Sequence, residues 1–195
     1  MGKNYSGGKT RKGRLFVLAG PSGVGKGTLR KQALSDMEDL AYSVSCTTRP
    51  PREGERDGVE YHFVTMQDFE EKVANGLFLE HALVHGNRYG TLLKSVELET
   101  EAGRDVLLEI DVQGARQVKE VLPDSVMIFV APPSLEILEK RLRQRKTESE
   151  EKIAVRLENA KKEMELSSGY DRIIVNDDLK QACKELRDVL LSYRK

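Results

Sequence analysis

The chain has no apolar run near the ~18 residues that a membrane-spanning helix needs. Its basic start, MGKNYSGGKTRKGR, is followed by an apolar stretch too short for a secretory signal, which runs straight into a glycine loop. Only two cysteines occur, Cys46 and Cys183, far apart and without metal-ligand spacing. That scarcity argues against a disulfide framework and suits a reducing cytoplasm in which both are packed thiols. Net charge is also missing, because 32 basic residues balance 32 acidic ones. The balance is uneven along the chain: Lys3, Lys9, Arg11, Lys12, Arg14, Lys26, Arg30 and Lys31 all precede the first acidic residue, Asp36. Residues 1–12 lack the aromatic interleaving of a nucleic-acid-binding arm and are rich in glycine and serine, so they read as a flexible basic tail. The expectation is a cytoplasmic protein with neither a nucleic-acid nor a membrane partner.

What is present is a balance of 38% hydrophobic and 33% charged residues over 195 positions, enough for one core with attachments. RLFVLAG reads as a strand and TLRKQALSDM as a helix, with a glycine loop between them. RDVLLEID, SVMIFVA and DRIIVND read as buried strands separated by the helical stretches VQGARQVKEVL and PSLEILEKRLRQR. This alternation predicts an α/β fold, a parallel sheet flanked by helices. Two stretches interrupt it. Residues 46–64 combine prolines, glycines and arginines before a period-2 strand, then a helix capped at Thr65 with Asp68 three residues on. Further along, Thr147 and Glu150 form a capping-box pattern at the start of a long charged helix, a candidate lid. A terminal helix spans Leu179 to Tyr193.

The loop GPSGVGKGT matches G-x-x-x-x-G-K-[ST] except at its last position. Gly20, Gly25 and Lys26 are in register, but Gly27 follows the lysine and the hydroxyl comes one place late, as Thr28. Glycines let backbone N–H groups turn around phosphate oxygens, the next helix aims its positive end at them, and the lysine adds a full charge. The strand-to-helix context makes this loop a nucleotide site. Gly27 has no hydroxyl to ligate magnesium, so the metal is expected to be held by nucleotide and water. Asp111, at the end of VLLEID, reads either as a Walker-B carboxylate facing Mg²⁺ through water or, with Glu109, as the polar end of a strand.

Other patterns carry less. DVQG fits the D-x-x-G switch of GTPases, but no N-K-x-D motif accompanies it. His81 and His85 are too far apart along a strand, ~13 Å at ~3.3 Å per residue, to share an ion. Arg49 and Arg52 stand in a Pro-Pro loop with Tyr61 and RYGT in the same lobe, and Arg141, Arg145 and Arg156 flank the lid junction. By charge pattern alone these clusters read equally as solvated faces or as phosphate clamps.

Taken together, GPSGVGKGT, SVSCTTRPPREGERDGVEYHFV, FLEHALVHGNRYGT, LLEIDVQGARQV and RQRKTESEEKIAVRL resemble the guanylate kinase family, bacterial type, from about Gly13 to near the C-terminus. The resemblance implies a P-loop NTPase-type core (13–45, 91–142 and 158–195), an inserted GMP-binding lobe (46–90) and a helical lid (143–157). It implies transfer of the ATP γ-phosphoryl group to GMP, giving ADP and GDP in purine nucleotide metabolism, with Mg²⁺ as the cofactor accompanying ATP. Carried over residue by residue, it assigns ATP to Gly20, Pro21, Ser22, Gly23, Val24, Gly25, Lys26, Gly27 and Thr28, with Arg141 near the adenine nucleotide. Lys26, Arg145 and Arg156 become the catalytic cations, Ser45, Glu80 and Thr91 the guanine readers, and Arg49, Arg52, Tyr61 and Tyr89 the clamp on the GMP phosphate. Glu55 matches a second acidic residue of that pocket. The implied partners are the small molecules ATP and GMP, with dGMP a further candidate, acting on a monomer or small homo-oligomer. Chemistry supports Glu80, because a carboxylate sets two acceptors against the N1–H and N2–H₂ donors of guanine, where adenine presents a bare acceptor. Rival readings are a related kinase with another acceptor, a dead module that binds phosphorylated peptides, and a GTPase switch.

Overall fold

The computed structural model describes residues 11–35, 37, 40–84, 86–144 and 149–194. Along them run β1 (Leu15–Ala19), α1 (Lys26–Ala33), β2 (Leu40–Tyr42), β3 (Cys46–Thr47), β4 (His62–Phe63), α2 (Met66–Ala74), β5 (Phe78–Val84) and β6 (Asn87–Leu92). The chain continues through α3 (Leu93–Glu101), β7 (Asp105–Glu109), α4 (Val112–Val121), β8 (Val126–Ala131), α5 (Leu135–Gln144), α6 (Glu150–Glu165), a 3₁₀ turn at Leu166–Gly169, β9 (Arg172–Val175) and α7 (Leu179–Ser192).

Five strands form a parallel sheet in the order β2-β7-β1-β8-β9. Because successive strand residues face opposite sides, Phe16 and Leu18 join one apolar cluster with Leu29, Leu138, Ile153 and Leu186. Leu15, Val17 and Ala19 join the other with Val96, Ala115 and Val118. Both faces of β1 are therefore buried, the condition that yields continuous apolar runs. The chain leaves β1 toward one flank and β7 toward the other, so the carboxyl ends of these adjacent strands open a crevice of the kind in which doubly wound sheets bind ligands.

DRIIVND departs from the expectation of a buried strand. β9 pairs only with β8, and Ile173 and Val175 are 45% and 49% exposed while Ile174 is fully buried. An apolar run thus marked an edge strand, of which Ile174 joins an apolar cluster while Ile173 and Val175 join neither.

A second sheet, ordered β4-β3-β6-β5, occupies the interruption after residue 45. The period-2 segment expected there shortens to the two residues of β4, because Asp57 turns back to accept the Phe63 N–H at 2.8 Å. The capping box at Thr65 forms as read, with Thr65 Oγ1 accepting from Asp68 N at 3.0 Å. Phe69 of α2 stacks on Phe78 at 4.5 Å between centroids and fastens the helix to β5. The capping pattern at Thr147 lies outside the described residues, and α6 takes Ser149 as its N-cap, without a side-chain cap bond. Arg143 pairs with Glu139 and Glu150, joining α5 to α6. Among the described residues no helix is long and apolar enough to cross a membrane.

Candidate active site

The glycine loop leaves β1 at the centre of the sheet and enters α1 through Gly25, whose φ of 96° lies in the left-handed region that glycine adopts without strain. No side chain caps α1 and no acidic residue stands in its first turn, so its N-terminal N–H groups keep their positive potential. Lys26 Nζ donates to Gly20 O at 2.6 Å and Pro21 O at 3.2 Å, which holds the ammonium across the mouth of the loop. The outer wall is braced from β9 and α5. Asn176 Nδ2 donates to Val24 O at 2.8 Å, while Arg141 donates to Asn176 O at 2.9 Å and to Val24 O at 3.4 Å. From α6, Arg156 Nη1 reaches Ser22 Oγ at 3.0 Å, bringing a guanidinium onto the loop. Arg145 and His85 lie outside the described residues.

The two carboxylates at the end of β7 divide their roles. Glu109 Oε2 accepts from Arg30 Nε at 2.9 Å, and that guanidinium lies 3.8 Å from the centroid of the Tyr42 ring. A Cβ built on Gly27 would come to 3.3 Å from Glu109 Oε1, so the missing side chain of the loop faces this carboxylate. Asp111 is the N-cap of α4, with Oδ1 accepting from Gly114 N at 2.7 Å. Glu163 on α6 is half-buried and its carboxyl is raised by burial, with Lys26 pulling the other way and Asp111 adding repulsion. No group of three or more His, Cys, Asp or Glu side chains among the described residues forms a metal cage.

A second cluster lies where β5 and β6 meet α4. Glu80 is 3% exposed, and burial raises its carboxyl to about 7 despite the hydrogen bond from Thr91. Thr91 Oγ1 donates to Glu80 Oε1 at 2.6 Å and stands 3.2 Å from Ser45 Oγ. Gln117 of α4 binds the backbone of His81 on both sides, accepting from N at 3.0 Å and donating to O at 2.8 Å. This side-chain amide continues the ladder beyond β5 and locks that strand to the core. Ser45, Glu80 and Thr91, distant in sequence, are thus brought into one chain of polar contacts.

Beside it, Arg49 Nη2 donates to Glu55 Oε1 and Oε2, both at 2.9 Å, and Arg52 N donates to Glu55 Oε2 at 2.7 Å. Burial favours the neutral form of Glu55, yet the bonds from Arg52 and Arg49 hold its carboxyl below the usual range. Glu55 therefore orients the loop's arginine and pins its turn. Tyr61 and Tyr89 meet edge-to-face at 5.8 Å, and the Arg49 guanidinium lies 5.5 Å from the Tyr61 centroid. The Arg52 side chain is exposed. Sequence reasoning passed over Arg30, Tyr42, Gly114, Gln117, Asn176 and Glu163. The one signal for Gly114 was the D-x-x-G pattern, whose switch reading concealed its packing role.

A parallel doubly wound sheet carrying this loop at its central strand defines a P-loop nucleotide-binding protein, to which a second sheet adds a separate polar cluster. Comparison with known proteins specifies which. The sequence profile of the family described as Guanylate kinase matches residues 12–193. The chain is 50% identical over 182 residues to the guanylate kinase of Syntrophotalea carbinolica, covering 93% of this chain and 87% of the relative. It is 49% identical over 184 residues to that of Neisseria meningitidis, covering 94% and 90%. Among solved structures it is similar to the crystal structure of guanylate kinase from Anaplasma phagocytophilum, with a TM-score of 0.78, 35% identity and coverage of 94% and 87%. The chain belongs to the guanylate kinase family.

Proposed function

We propose that the protein transfers the γ-phosphoryl group of ATP to GMP, giving ADP and GDP. The observation that carries this reading is the buried Glu80 carboxylate in contact with Thr91 and, through it, Ser45: a fixed pair of acceptors within one polar chain suits the N1–H and N2–H₂ edge of guanine. A site of this kind rejects an analogue lacking the matching donors by roughly 10⁴ to 10⁵, because its buried polar groups are left unpaired.

On this reading segment 46–90 carries GMP, the core segments 13–45, 91–142 and 158–195 hold ATP, and 143–157 closes over the phosphates. Loop residues 20–28 embrace the ATP phosphates, and Arg141 steadies the wall beside the adenine nucleotide. Arg49 and Arg52, with the hydroxyls of Tyr61 and Tyr89, hold the GMP phosphate. One of its oxygens attacks the γ-phosphorus in line as the bond to the ADP oxygen breaks. No general base is required, since a phosphate monoester with a second pKa of ~6 is already largely dianionic at pH 7. The task of the chain is to position two anions and offset their repulsion, and Lys26 with Arg156 and Arg145 supplies the charge. An arginine so placed contributes roughly 10³ to 10⁵ in rate.

The carboxylates at the strand end fit a Mg²⁺ carried in with the nucleotide: Asp111 uses Oδ1 to cap α4, and Glu109, bonded to Arg30, lies against Gly27 of the loop, so the two would hold metal-bound water there. When bound, the ion would neutralise charge on the phosphates. The free thiols of Cys46 and Cys183 agree with a cytoplasmic setting.

The test is a coupled assay of ADP formation from Mg·ATP with GMP, dGMP, AMP, CMP and UMP supplied separately. Turnover selective for the guanine nucleotides is expected. Equal rates with every acceptor, or none with GMP, would overturn the proposal.

A further inference from the structure

The carboxylate proposed to read guanine does not stand against another polar group alone; it is seated on a glycine. A Cβ built on Gly114, in the first turn of α4, would fall 2.4 Å from Glu80 Oε2 and 3.1 Å from its carboxyl carbon. No α4 side chain other than hydrogen would leave Glu80 where it is. The same face of α4 carries Gln117, three residues on, which grips the His81 backbone next to Glu80. The strand cannot back away from the helix without breaking two hydrogen bonds. The other carboxylate oxygen is held by Thr91 Oγ1. Glu80 is thus pinned between a hydroxyl of β6 and a recess in a core helix.

We infer that Gly114 is a positioning residue for base selection, its absent side chain being the recess that aims the Glu80 carboxylate. This rests on the proposed reading of Glu80 as the guanine reader. The glycine is not required by backbone conformation, since it lies inside a regular helix and is not among the positive-φ glycines. An alanine there suits the helix better than glycine does. The only atom a new methyl would press closer than 3.0 Å is Oε2 at the end of the Glu80 side chain, which can swing aside at the expense of its aim; beyond the carboxyl carbon the next contact is Asp111 Oδ1, the cap of α4, at 3.3 Å.

The test is Gly114→Ala, assayed with GMP, IMP and AMP as acceptors. IMP presents N1–H but lacks the 2-amino group, so the ratio of GMP to IMP efficiency reports how the carboxylate addresses that edge. The expected result is a GMP KM raised on the order of tenfold to a hundredfold, the equivalent of one hydrogen bond to a charged group. The GMP/IMP ratio should fall with it, while ATP KM and the melting temperature stay at or above wild type. A purely structural role for the glycine would instead lower stability and leave the acceptor ratio alone. Glu80→Asp in the Gly114→Ala background shortens the side chain away from the new methyl and should recover GMP efficiency relative to the product of the two single effects. Additive losses, or an unchanged GMP KM and ratio in a folded Gly114→Ala protein, would overturn the inference. Glu80→Gln separates the two claims. If it too leaves GMP KM unchanged, the guanine-reading role itself fails; if it raises KM while Gly114→Ala does not, only the role of the glycine fails.

Discussion

Replacing Glu80 by glutamine should make the protein more stable and a poorer GMP kinase at once. In the folded chain burial raises this carboxyl from 4.5 to about 7, so ionising it above neutrality works against folding. At 1.36 kcal/mol per unit the interval corresponds to about 3 kcal/mol at pH 8, shrinking to under about 1 kcal/mol at pH 5. The sign follows from proton uptake: the fold holds this proton more tightly than the unfolded chain, so stability is undiminished below 4.5 and declines as pH rises toward 7. Glutamine keeps an oxygen for the Thr91 hydroxyl and never ionises. Any pH-independent repacking cost cancels when the gain at pH 8 is compared with the gain at pH 5. The expected difference is about 2 kcal/mol, or roughly 4–8 °C in Tm for a chain of this size. The assay is thermal unfolding of both proteins at the two pH values without nucleotide, together with GMP titration calorimetry at pH 8. An equal Tm increment at both pH values would refute the claim that Glu80 carries a buried, strained charge. Unchanged GMP affinity would refute its place in the pocket.

Lys26→Met should lower kcat by roughly 10² to 10³, because on the proposed reading it removes an electrostatic contact to the transferring phosphate, while losing the bonds to Gly20 O and Pro21 O lowers Tm by roughly 2–8 °C; steady-state kinetics beside a melting curve checks it. Arg49→Lys loses the two-pronged hold on Glu55 and should raise GMP KM on the order of tenfold while sparing ATP KM, measured by varying each substrate in turn. At the opposite end of β7, Asp105 is 2% exposed and accepts from Arg14 N and Arg11 at 2.8 Å and from Arg194 at 3.0 Å. Asp105→Ala removes the buried acceptor shared by these donors, two of them guanidiniums that stay partly in water, and should cost about 2 kcal/mol, seen as a fall of roughly 4–8 °C in Tm, while kcat of the folded protein is preserved.

The parts legible in the sequence are those whose chemistry is local. The P-loop was readable because its glycines, its lysine and the flanking strand and helix are contiguous, and the Thr65 capping box because both partners lie within one turn. The core strands β1, β7 and β8 were found because burial on both faces leaves uninterrupted apolar runs. The same rule misjudged β9, since an apolar run cannot tell a central strand from an edge. It also missed β2, β3 and α3, whose short or mixed segments are held by neighbours rather than by their own pattern. The gathering of Ser45, Glu80 and Thr91 was implied only by resemblance to a family.

By itself the sequence determined the period of its elements, the anion-binding loop, the lack of a side-chain hydroxyl at Gly27 and the absence of any run long enough to span a membrane. Tertiary structure alone decided which carboxylates face which partners. It paired Glu109 with Arg30 of α1 and pressed Glu80 against Gly114. The reason is that titration and recognition depend on desolvation and on neighbours a few ångströms away, and those distances arise only when segments tens of residues apart share one core.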